Sequence, residues 1–187
     1  MMLKLMCYFA TDKNMNSFSV YNMCNPRMFK PTDKMSDLIC KNYALLQVLS
    51  RFGVSLGFGD KTVDEVCRMN GVDCSTFLAI VNFLTEDHNR VEDHLKDISV
   101  TALMDYLQSA HTYFLDFQLP AIRKKLIKSL DFSTKNEVAF LILQFFDDYV
   151  GEVRNHMEYE NKKVFAYVRA LLAGEHTAEY NIGVFAR

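Results

Sequence analysis

Residues 136–173 read NEVAFLILQFFDDYVGEVRNHMEYENKKVFAYVRALLA, a run without proline that Gly174 closes. Its length, its dense apolar content and the glycine at its end predict one long helix from about Asn136 to Ala173. Phe145, Tyr149, Val153, Val164, Tyr167 and Leu171 define one face of that helix. His156 and Glu160 stand at i and i+4 on the same face, so the pair is expected to project into a core.

The preceding segment predicts a partner for this helix. Ser99 or Thr101 starts an amphipathic stretch running to about Leu130, with Leu103, Leu107, Ala110, Phe114, Ile122 and Leu126 at mostly three- and four-residue steps. Pro120 lies inside it and predicts a kink or a local break, because its ring removes a backbone hydrogen bond. A short turn over Asp131 to Lys135 then joins the two helices into an antiparallel hairpin, half of an up-down four-helix bundle. His111 falls on the inward stripe of the first helix, between Leu107 and Phe114.

Upstream, Thr32 or Asp33 is expected to cap a helix of about four turns that starts at Ser36 and ends at Gly53. Three glycines between Gly53 and Asp60 require a shaped loop. Thr62 caps a short helix over Val63 to Asn70, Gly71 closes it, and Ser75 to Leu84 forms another. The chain is thus expected to be all-α, a small three-helix unit followed by a long helical hairpin. Residues 1–30 form an N-terminal extension, 31–85 the small helical domain, 86–98 a polar linker and 99–187 the hairpin. Residues 1–30 lack helical or strand periodicity and are expected to be loosely ordered.

Composition narrows the function classes. The 187 residues are half hydrophobic with a net charge of −2, enough for a packed core and no general attraction to nucleic acid or anionic lipid. The apolar N-terminal run is short and broken by Lys4, and no later segment has the length of a membrane span, so a protein without membrane association is expected. Five cysteines without a CxxC pair indicate reduced thiols and a cytoplasmic setting. Residues 63–80 have helix-turn-helix spacing, yet Asp73 to Leu84 carries no Lys or Arg and is built to be buried, which argues against nucleic-acid binding. Arg123, Lys124, Lys125 and Lys128 read as a solvated helix face. No nucleophile motif or phosphate loop is present, so no catalytic residue is assigned and enzymatic activity stays open.

His111, His156 and Glu160 are the candidate metal ligands. Imidazole nitrogens suit iron, and an ionised carboxylate bridges two cations. Spacing alone is weak support: His88 and Glu92, in the polar linker, show the same i, i+4 pattern. The plain alternative makes the histidines satisfied core residues of a metal-free helical regulatory or interaction module.

The surrounding residues carry a resemblance. Ala110-His-Thr-Tyr-Phe-Leu-Asp-Phe-Gln-Leu-Pro120 resembles the first helix of hemerythrin-like domains, and Asn155-His-Met-Glu-Tyr-Glu-Asn-Lys-Lys-Val-Phe165 the second. Leu45 to Leu84 is similar to the small N-terminal domain of the repair-of-iron-centres (YtfE/ScdA-type) proteins, and the domain order matches. The resemblance implies a non-haem di-iron protein that repairs iron–sulfur clusters damaged by oxidative or nitrosative stress, with iron–sulfur proteins as partners. It makes His111 a first-helix iron ligand, His156 a second-helix ligand and Glu160 a carboxylate bridging two irons. By their helix positions Tyr113 and Tyr149 lie near enough to donate hydrogen bonds to the site, with core packing the plainer role for each. Gly57-Phe58 occupies the place of the family's Cys-Cys pair. The family continues into two further ligand-bearing helices beyond the point corresponding to Arg187, so a homodimer through the exposed bundle face is expected to complete the centre.

Overall fold

A computed structural model describes residues 28–85, 98–130 and 137–175. Among these residues the regular elements are helices: α1 Met35–Lys41, α2 Leu45–Arg51, α3 Val63–Asn70, α4 Cys74–Thr85, α5 Val100–Tyr113, α6 Leu119–Ser129, α7 Glu137–Tyr159 and α8 Phe165–Leu172. Two π-helical turns, Phe114–Gln118 and Glu160–Val164, join α5 to α6 and α7 to α8. The fold is all-α with a long helical hairpin in its C-terminal part, as the periodicity predicts. None of the described helices is long and apolar enough to cross a membrane. The chain divides into two compact units, residues 1–110 and 111–187.

The first unit is organised by its turns. The single helix expected over 36–52 is two helices, because the Asn42 side chain accepts the Ala44 amide at 3.0 Å and offers the backbone an alternative to the helical bond. Neither Thr32 nor Asp33 caps α1. Lys34 stands at the cap position, and the Asp33 carboxylate instead accepts the Lys30 amide at 2.8 Å. The Thr62 cap holds: its hydroxyl accepts the Glu65 amide while the Glu65 carboxylate accepts the Thr62 amide, a reciprocal capping box. Gly71 closes α3 with φ at 65°, a left-handed conformation that a side chain would strain. Asp73 accepts the Thr76 amide at 2.8 Å and opens α4, whose Phe77, Leu78 and Val81 are buried as their apolarity demands.

Two features move the expected boundaries. Phe29, assigned to the loose extension, lies in this core, and Asn82 clamps its backbone by accepting its amide at 2.8 Å and donating to its carbonyl at 3.1 Å. Tyr106 also belongs to the core, and its hydroxyl accepts Arg51 Nη1 at 2.9 Å. The start of α5 therefore completes the first unit rather than the hairpin. The expected linker and the turn at 131–136 fall mostly or wholly outside the described residues.

In the second unit Phe114, Leu115, Leu119 and Met157 form a small core, with Phe146, Val150 and Val153 packed against it. Arg123 grips Asp147 through two hydrogen bonds of 2.7 and 2.8 Å, fixing α6 against α7 at the surface. The break predicted at Pro120 takes the form of the π turn just before it. Leu119 N–H donates to Phe114 O, five residues back, and Pro120 then sits where a missing N–H costs nothing. One extra residue in the turn rotates the stripe that follows by roughly 100° relative to a regular helix. This is why Leu115 and Leu119 are buried while Ile122, expected inside, is 42% exposed.

The face of α7 also differs from expectation. The stripe turned to the partner helix runs through Ala139, Phe146, Val150 and Met157, whereas Phe145 is 75% exposed and Leu171 is also exposed. A helix packed on one neighbour buries one stripe. Taking about 100° per residue, Val138, Leu141, Ile142 and Phe145 lie within roughly 60° of the His156 meridian. They form an exposed apolar stripe leading along α7 toward His156.

Candidate functional site

The three residues singled out in the sequence meet at one end of the second unit. His111, near the C-terminal end of α5, has a side chain 1% exposed; Glu160, the first residue of the second π turn, is 17% exposed; His156, in the last turn of α7, is 45% exposed. Glu160 lies between the two imidazoles. Its Oε2 is 3.5 Å from His111 Nε2 and its Oε1 is 3.4 Å from His156 Nε2. The expectation that all three enter a core is corrected for His156, which stands at the rim where the buried seam meets the exposed stripe.

Both π turns border the site. The first begins three residues after His111. The second begins at Glu160 and is closed by Phe165 N–H donating to Glu160 O. The wide turn carries Glu160, Asn161 and Phe165 toward one imidazole. Asn161 Oδ1 lies 2.8 Å from His111 Nδ1, and the Phe165 ring stacks on the His111 ring with centroids 6.0 Å apart and planes 12° apart. Sequence reasoning missed Asn161 and Phe165, because neither an amide nor a phenyl ring is a metal-ligand type at the spacing that singles out His156 and Glu160.

Electrostatics follow from burial. Desolvation pushes the His111 pKa below its ordinary value, opposed by the Asn161 hydrogen bond and the Glu160 charge and assisted by the nearby His156. His111 is therefore a neutral imidazole near pH 7. With the Asn161 amide oriented so that Oδ1 meets Nδ1, the matching tautomer carries its proton on Nδ1 and its lone pair on Nε2. That Nε2 and the facing Glu160 Oε2 are both buried and without a hydrogen-bond partner. In that tautomer two acceptors face each other across 3.5 Å. Such an arrangement is unfavourable alone and favourable around a cation.

The two separations, 3.5 and 3.4 Å, are each in the range of two donors sharing a small divalent ion, roughly 3.0–3.5 Å for bonds of about 2.0–2.2 Å. Among the described residues, however, no group of three or more His, Cys, Asp or Glu side chains is arranged to hold a metal ion. Tyr113 is directed elsewhere: its hydroxyl accepts Gln118 Nε2 at 3.2 Å and its ring stacks with Phe117.

No protein-family model, curated protein or solved structure matches this chain.

Proposed function

We propose that the second unit is a hemerythrin-like metal site in which His111, His156 and Glu160 hold non-haem iron. The observation that carries this is the buried, unpartnered pair His111 Nε2 and Glu160 Oε2, two lone-pair donors aimed at each other beside a third donor. Imidazole with carboxylate is a donor set suited to iron, and the wide turns that assemble it are features often found at functional sites. Following the sequence resemblance, we assign the protein to the repair of iron–sulfur clusters under oxidative or nitrosative stress, in the cytoplasm, acting on iron–sulfur proteins. Iron in such a site supplies redox change and an open position for a small ligand.

The chain's own residues do the rest. Glu160 offers one oxygen to each imidazole. Burial keeps His111 neutral and therefore a donor. The Phe165 ring and the core formed by Phe114, Leu115 and Met157 shield the inner side from water. Two imidazoles and one carboxylate leave a di-iron centre short of ligands. The missing donors come from a second copy of the chain, its helices laid on the exposed stripe of α7.

Anaerobic titration with ferrous iron, followed by metal quantification and mass determination on one sample, tests this. Stoichiometric iron that disappears in His156→Ala with helicity retained is the expected result. Iron-free protein, or iron that survives in His156→Ala, leaves a metal-free helical module with core histidines.

A further inference from the structure

We propose that Asn161 is a positioning residue that fixes the tautomer of His111 and so turns the Nε2 lone pair toward Glu160. The inference deepens the metal assignment, but its central claim concerns the apoprotein and is decided there.

An imidazole buried in a helical hairpin has two neutral forms of similar intrinsic energy, and its neighbours choose between them. His111 meets two polar neighbours, one at each ring nitrogen. On one side is Asn161 Oδ1 at 2.8 Å, a full hydrogen-bond distance. On the other is Glu160 Oε2 at 3.5 Å, with which no hydrogen bond forms. Asn161 therefore holds the proton at Nδ1 by the shorter contact, and Nε2 is left bare. Phe165 stacked on the ring resists the flip about Cβ–Cγ that would carry both nitrogens away from these neighbours.

Both polar partners of the ring stand at the start of the second π turn. In the wide turn the acceptor for Nδ1 and the carboxylate facing Nε2 are consecutive residues. A hydrogen bond to the far nitrogen fixes the orientation and basicity of a metal-binding imidazole, and its loss weakens binding on the order of 10–100-fold.

The amide has a second orientation, and it gives the opposite prediction. With Nδ2 turned to His111, the amide donates, the ring proton moves to Nε2, and the His111–Glu160 contact becomes a hydrogen bond. The test is the tautomer itself, read by long-range proton–nitrogen correlation on the apo full chain labelled with 15N-histidine, the His111 signals being those that shift in the Asn161 variants. We expect His111 protonated at Nδ1 in the native chain and in Asn161→Asp, which keeps an acceptor oxygen, and released to the Nε2–H form in Asn161→Leu. Ferrous iron affinity should fall at least tenfold in Asn161→Leu and recover to within a few-fold in Asn161→Asp. An Nε2–H tautomer in the native chain, or an unchanged tautomer in Asn161→Leu, overturns the proposal. Native protein with the Nδ1–H tautomer but no iron binding upholds the role of Asn161 and removes the metal assignment instead.

Discussion

Glu160 and Cys67 illustrate opposite uses of a buried polar group. At Glu160 an unpartnered oxygen faces an unpartnered imidazole nitrogen, a cost that folding has to absorb. Glu160→Gln places an amide donor opposite His111 Nε2. The substitution should stabilise the metal-free protein by about 1 kcal/mol and, under the proposed iron assignment, abolish iron binding. Urea midpoints and a ferrous titration on the same variant check both signs, and a destabilised Gln variant contradicts the lone-pair arrangement. Cys67 is fully buried in the first unit, and burial, with Cys74 close by, pushes its thiol pKa up to about 12. An unfolded thiol ionises near 9.0, so the unfolded chain loses its proton first as the pH rises. The stability contributed by neutral Cys67 is fully present below pH 9.0 and is lost between there and about 12. Unfolding midpoints at rising pH should fall in the native chain and fall less in Cys67→Ala. The candidate ligands were legible as residue types at i, i+4 spacing, whereas Asn161 was not, since an amide beside a glutamate carries no spacing signal of its own.

At the scale of elements, caps and stops were the most readable features. The Thr62 capping box and the Gly71 stop act through bonds to residues two to four positions away, and such chemistry is written locally. Breaks inside helices were harder. Asn42 splits one expected helix with a side-chain hydrogen bond worth little more than the helical bond it replaces, and apolar periodicity on both sides masks it. The π turns were hidden for the same reason: each inserts one residue into an otherwise regular pattern. Deleting Lys163, an exposed residue of the second turn, should restore a regular helix. Circular dichroism should then show undiminished helicity while iron affinity drops by more than tenfold. Retained affinity would show that the turn is dispensable to the site.

For the molecule as a whole, the exposed stripe of Val138, Leu141, Ile142 and Phe145 is the feature the sequence misplaced. Period alone shows how wide an apolar face is, while the partner actually present decides which part is buried. An apolar stripe of this kind on a helix favours association. Leu141→Glu combined with Phe145→Glu should lower the mass measured by sedimentation equilibrium to that of one chain without reducing helicity. A native chain already monomeric at micromolar concentration removes the second-copy arrangement. The two wide turns also have a genetic meaning. Each is the length of a regular turn plus one residue, which one added in-frame codon would supply. Pairwise alignment with a relative lacking either codon would need a one-residue gap inside a helix, where gap penalties are usually set highest. The residues that gather around His111 are thus the ones whose equivalence is most easily lost when sequences are compared.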